Sequence, residues 1–171
     1  LSLSINAIAG DAKGNIWIGT KDGAYLYNDN NGDLDFFSTR NDLAHNNIYA
    51  IHMDSKGRAW LATHTNRIDV FEGGKFTQYE VTTRGEVPRV TCITEAPDGT
   101  IWLGTDGAGI YRYKDGEFSN YQTEQGLHSN YCYQIIPDEQ DNIWIAHRAG
   151  MSQYLPGPDR IVAWENREVL P

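Results

Sequence analysis

Six residues have the types that could do recognition chemistry in this chain: His64, Arg67, Arg89, Tyr131, His147 and Arg148. A guanidinium gives paired hydrogen bonds to carboxylate or hydroxyl oxygens, and a tyrosine ring offers a flat apolar face with a polar edge. Histidine can donate, accept or move a proton near neutral pH. His64 and His147 could therefore act as a general acid and base, provided they converge. No serine hydrolase elbow, HExxH zinc motif or phosphate loop is present. The stretch Asp29-Asn-Asn-Gly-Asp33 lacks the spaced ligands and distant Glu of a calcium loop and reads as a turn. Cys92 and Cys132 form no CxxC or Cys/His cluster, so no metal or cofactor is expected. Both read as small apolar residues of inner strands, and an oxidising compartment would allow them to pair.

The elements that position these residues follow from a repeat. Trp17, Trp60, Trp102 and Trp144 stand 43, 42 and 42 residues apart, each in one phrase: Asn-Ile-Trp-Ile-Gly-Thr, Arg-Ala-Trp-Leu-Ala-Thr, Thr-Ile-Trp-Leu-Gly-Thr and Asn-Ile-Trp-Ile-Ala-His. Four β-rich runs fall in each copy, separated by turn formers such as Asp11-Ala-Lys-Gly14, Asp22-Gly23, Asn31-Gly32, Gly73-Gly74 and Asp115-Gly116. The third copy reads as a shortened first turn, Pro97-Asp98-Gly99. The fourth uses Asp141-Asn142, types that tolerate left-handed backbone.

Three hairpins per copy predict a four-stranded meander. Consecutive apolar residues around each tryptophan predict strands covered on both faces, which radially stacked blades provide. The fold class is all-β: a single β-propeller domain over 1–171, with blades at about 1–40, 41–84, 85–123 and 124–171. The tryptophans Trp17, Trp60, Trp102 and Trp144 are expected to fill the gaps between blades, their N–H groups finding partners. With four blades and no spare closing strand, the segment is expected to be a fragment or half of a larger seven- or eight-bladed ring. Its open blade faces would then invite self-association.

Strand parity sends the strand 2–3 loops and the interblade loops to one face. That face collects four of the five histidines and all six candidate ligand residues. Ligand contacts need not repeat from blade to blade as structural positions do, so residues that break the repeat there are the candidates.

The phrase Asp-x-x-Gly-Asn-Ile-Trp-Ile-Gly-Thr, then Gly and an aromatic pair, closely resembles the two-component regulator propeller repeat. The third copy matches best, from Pro97-Asp98-Gly99 through Trp102, Gly107-Ala-Gly109, Tyr113, Phe118 and Tyr121 to Gly126-Leu127-x-Ser129-Asn130. Departures are Asn66-Arg67 after the second Trp strand, Arg84–Arg89 in place of a Gly-Leu-x-Ser-Asn linker, and His147 for Thr. The resemblance implies a periplasmic or extracytoplasmic sensor domain of a bacterial hybrid two-component system that binds a glycan or other polar small ligand. The alternatives are a propeller lyase similar to streptogramin lyase, or a scaffold for protein contacts.

A net charge of −9 with no Lys/Arg run argues against nucleic acid as partner. The aromatic content of 12% argues for a packed core over disorder. No stretch is long and apolar enough to insert in a membrane. A chain that opens on Leu1 reads as processed or excised.

Overall fold

The computed structural model describes residues 4–81 and 89–165. Among these, sixteen strands form four antiparallel four-stranded sheets, and in each the order along the sheet follows the order along the chain. The sheets are β1–β4 (Ile5–Gly10, Asn15–Thr20, Ala24–Asn28, Leu34–Phe37), β5–β8 (Ile48–Met53, Ala59–Thr63, Arg67–Glu72, Lys75–Glu80), β9–β12 (Val90–Glu95, Ile101–Thr105, Ile110–Lys114, Glu117–Tyr121) and β13–β16 (Gln134–Pro137, Ile143–Ala146, Gly150–Leu155, Arg160–Glu165). The all-β meander expected from the repeat is thus the observed fold. The chain divides into two compact units, Leu1–Arg89 and Val90–Pro171, each holding two sheets.

The first turn of each sheet explains the spacing of the signature. Gly14, Gly57 and Gly99, each three residues before its tryptophan, have φ of 83°, 77° and 81°. In the fourth sheet Asp141 takes that place with φ 62°. The third turn is not shortened, as the sequence suggested: the Gly99 N–H closes onto the Ala96 carbonyl just as Gly57 N–H closes onto Asp54. What changes is the capping residue. Ala96 stands where the other copies have Asp, and Asp98 instead accepts from the Thr100 N–H at 2.9 Å.

In the first unit, Trp17 (2% exposed) stacks on Phe37 of its own sheet and meets Phe71 and Phe76 of the next at 5.0 and 6.4 Å. Ala24, Leu43, Ile48, Ala59 and Leu61 complete that core. In the second unit, Trp102 (1% exposed) packs on Tyr154 of the neighbouring sheet at 4.8 Å, amid Ile110, Leu127, Ile135, Ile143 and Ile145. These two rings fill gaps between sheets, as their phase predicted. Trp60 is also buried, stacked on Tyr79 of its own sheet, whereas Trp144 is half-buried beside Trp164.

The Gly-Leu-x-Ser-Asn phrase builds a rigid linker between sheets. After β4 and β12 the chain makes single 3-10 turns, Thr39–Asn41 and Thr123–Gln125, ended by left-handed Asp42 and Gly126. Leu43 and Leu127, each 4% exposed, then plug the cores. Asn46 and Asn130 fold back to accept the N–H of Thr39 (2.7 Å) and Thr123 (2.9 Å). The 3-10 turns were not read from sequence; the linker they belong to holds His45 and Asn47 in place.

Candidate functional site

In the first unit the linker and the inner strand β5 assemble a polar cluster. The Asn6 amide donates to Asn47 Oδ1 (3.2 Å) and to the Ile48 carbonyl (2.9 Å). The Asn47 N–H donates to His45 Nδ1 (3.0 Å), and Asn47 Nδ2 donates to the Tyr49 hydroxyl (3.3 Å). That hydroxyl lies 2.5 Å from His64 Nδ1. The His45 and His64 rings are 5.6 Å apart, and the Arg89 guanidinium sits over the Tyr49 ring, 4.6 Å from its centre. His64 and Arg89 are exposed; His45, Asn47 and Tyr49 are half-buried.

The donors and acceptors can be assigned by chemistry. A backbone N–H directed at His45 Nδ1 makes that nitrogen the acceptor, so the neutral ring carries its hydrogen on Nε2. The Tyr49 hydroxyl accepts from Asn47 and shares a hydrogen bond with His64 Nδ1 whose donor depends on the histidine tautomer. The cluster therefore sets two imidazoles beside a guanidinium and an aromatic ring. Oxygen-rich ligands match that set.

Next to it, Asp22, Phe36, Ser38, Thr39, Arg40, Asn41 and Asn46 line a cleft of about 490 Å³. Asn46 belongs to the same loop as His45 and Asn47. The volume lies within the usual range of small-molecule sites.

The structure brings together two of the six sequence candidates here, His64 and Arg89, through Tyr49, a residue the sequence reading passed over. Arg67 lies elsewhere: its guanidinium donates to Gln78 of the edge strand β8 at 3.0 Å. In the second unit, Tyr131 is 54% exposed, as is Tyr133, and Arg148 is exposed. His147 is 7% exposed. Its Nδ1 lies 3.0 Å from the Tyr131 carbonyl and its Nε2 2.9 Å from Ser152 Oγ, so both ring nitrogens are engaged. Burial holds its basicity below that of an ordinary histidine, against the opposing pull of the Tyr131 carbonyl. Of the linker Arg84–Arg89, only Arg89 falls within the described residues.

A second polar site lies on the turn side of the second unit. Arg112 occupies the position of Leu26 in the first sheet and Val70 in the second, yet it is a cation facing the Tyr154 and Tyr121 rings. It donates to the Tyr154 hydroxyl (2.7 Å), which donates in turn to Asp159 (2.7 Å). Burial and then the bond to Asp159 raise the Tyr154 phenol above the normal range. Arg112, Tyr154 and Asp159, with Asp98, Lys114 and Asp141, line a cleft of about 140 Å³. An Arg opposite the strand tryptophan, where the first two sheets carry Leu26 and Val70, was the legible signal for it.

No group of three or more His, Cys, Asp or Glu residues suited to a metal is found among the described residues, and no helix there is long and apolar enough to cross a membrane.

Four antiparallel sheets, each with a buried or half-buried tryptophan in its second strand, define the class: the chain is built of β-propeller blades. The family model for the two component regulator propeller matches residues 1–22, 42–65 and 86–107, so three of the four repeats are similar to that family. A search of the curated proteins gives no match. Among solved structures, the chain resembles the extracellular domain of a protein assigned as a hybrid two component system from B. thetaiotaomicron, with TM-score 0.83 and 21% identity over 99% of this chain and 24% of that one. A second such extracellular domain from the same organism gives TM-score 0.75 and 22% identity, over 94% of this chain and 25% of the other. Virginiamycin B lyase from Staphylococcus aureus gives TM-score 0.76 and 20% identity, over 95% and 55%. The chain thus spans about a quarter of the length of the two extracellular domains and just over half of the lyase.

Proposed function

We propose that this segment is the ligand-binding part of an extracytoplasmic sensor in a bacterial two-component system, and that it binds a glycan at the cluster of His45, Asn47, Tyr49, His64 and Arg89. The observation that carries the reading is the Arg89–Tyr49–His64 arrangement. A stacked guanidinium, an aromatic ring and two imidazoles converge on one loop face beside a cleft of about 490 Å³. The guanidinium favours ligands rich in carboxylate and hydroxyl oxygens, hence acidic oligosaccharides over neutral ones. The matching repeat family and the extracellular sensor domains of like fold support the setting.

The segment acts in this reading by binding and not by catalysis. Of the two histidines an acid–base pair would use, His147 already has both nitrogens occupied. Tyr131 and Arg148 are left as a second, outlying contact area, and Arg67 as a framework residue.

The apolar faces fit one domain continuing into further blades. Ile8, Leu34 and Phe36 of the first sheet are 65, 59 and 43% exposed, and Ile136 of the fourth is 53% exposed beside Trp144. Each is the counterpart of a face that another sheet covers within the two units, so neighbouring blades or a second copy would cover them.

The test is a melting-temperature screen against a panel of acidic and neutral oligosaccharides. A rise with at least one acidic glycan is expected. No shift with any member of the panel overturns the reading.

A further inference from the structure

Cys92 in β9 pairs across the ladder with Gly104 of β10. Cys132, wholly buried, precedes β13 of the neighbouring sheet in the same unit. A Cβ on Gly104 would stand 2.6 Å from Cys92 Sγ and 2.7 Å from Cys132 Sγ, so the bare glycine makes the room that both sulfurs occupy. The first unit repeats the arrangement without sulfur. There Ala7 pairs with Gly19, and Ile48 fills the space, 2.7 Å from the corresponding Cβ point.

The backbone at this point is locked in both units. Thr91 Oγ1 donates to the Cys132 carbonyl at 2.7 Å, as Asn6 Nδ2 donates to the Ile48 carbonyl at 2.9 Å. Two inner strands are thereby fixed side by side, with both sulfurs packed against the Cα of Gly104.

We propose that Cys92 and Cys132 are a redox-active pair that closes to a disulfide, joining β9 covalently to the segment entering β13. The oxidant is an external small disulfide such as oxidised glutathione. The Cys92 thiolate, the more accessible of the two, attacks one of its sulfurs, forms a mixed disulfide and releases one glutathione thiolate. The Cys132 thiolate then attacks Cys92 Sγ, forms the intramolecular bond and expels the second glutathione. Two electrons pass to the oxidant, and the two thiol protons are taken up by the departing glutathione thiolates or by solvent. The hydrogen bond from Cys132 makes the Cys92 thiol more acidic than usual, while the same contact and burial hold the Cys132 proton on, which fits this order of attack.

The experiment equilibrates the purified chain in glutathione buffers of graded redox ratio. The samples are then quenched with an alkylating agent in denaturant and read by intact mass and peptide mapping. Joint loss of both thiols is expected, as a monomer lighter by two hydrogens, with a Cys92–Cys132 cross-linked peptide and an unchanged far-ultraviolet spectrum. Cys132→Ala should instead accumulate the glutathione adduct on Cys92. Alkylation of both cysteines after oxidation, an adduct that persists on Cys92 of the parent chain, or disulfide-linked dimers would each overturn the proposal. The parent chain alone decides the matter if the variant does not fold. None of these readouts depends on glycan binding, so this proposal and the sensor reading fail separately.

Discussion

The indole N–H of Trp60 donates to Oδ2 of Asp54, six residues upstream, at 2.8 Å. Trp144 makes the same bond to Asp138 at 2.9 Å. The signature Asp-x-x-Gly-x-x-Trp is therefore one structural object. In these two sheets the aspartate both caps the hairpin turn and fixes the indole ring of the following strand.

Asp54 is the clearest case for substitution. It also accepts from the N–H groups of Lys56 (3.0 Å) and Arg58 (2.8 Å) and from Arg58 Nε (2.6 Å). Burial alone would raise its carboxyl, but the bonds from Trp60 and Arg58 outweigh that and hold it below the usual range. Asp54→Ala leaves a buried indole N–H and a turn without acceptors, so a loss of about 3 kcal/mol or more is expected in urea unfolding. Asp98→Ala should cost less, because that carboxylate is 36% exposed and serves one backbone N–H and Lys114.

Asp141 should be improvable. It holds φ 62° where three other sheets use glycine, and its Oδ1 is buried without a partner among the described residues. Asp141→Gly relieves both, and a gain of about 1 kcal/mol in stability is expected as a higher melting temperature. A fall would show that the side chain has a role beyond the turn.

Asp69 gives a pH dependence. It is fully buried, and both its oxygens accept the Ala44 N–H at 3.2 Å. Burial pushes its carboxyl up to about 6, against the opposing bonds from Ala44 and Gln78. Between the unfolded value of 3.8 and about 6, the folded chain keeps a proton that the unfolded chain gives up. The stability from this group is thus present below pH ~4 and is lost as pH rises through 6. Ser152 does the same work in the fourth sheet, accepting the His128 N–H at 2.9 Å. Asp69→Ser should remove roughly 2–3 kcal/mol of decline between pH 4 and 6 from the parent's curve. His147 acts with the opposite sign, its stability being lost as pH falls below its ordinary value, so the comparison is between variant and parent and not along one curve.

The blades were legible because the tryptophan phase and the turn residues are covalent facts of the sequence. A six-residue interval between Asp and Trp, or a glycine three residues before Trp, survives any drift in the strands. The site was legible only in part. Strand parity placed His64 and Arg89 on one loop face, but their meeting depends on the Tyr49 hydroxyl, and Tyr49 looks like an ordinary strand aromatic. His147 broke the repeat in the same way as His64. Its ring is buried against Ser152, however, so a break in the repeat reports altered packing as readily as an exposed contact. Arg112 carries the converse lesson: its break lay inside a strand, where loop-centred reasoning does not look.

The site assignment turns on Arg89. Titration calorimetry of the best acidic oligosaccharide against the parent, Arg89→Ala and Arg67→Ala tests it most directly. Loss of a stacked, charge-assisted donor predicts about 10- to 100-fold weaker binding for Arg89→Ala, with Arg67→Ala unchanged. Equal affinity for the parent and Arg89→Ala, or an equal loss in both variants, would contradict the account.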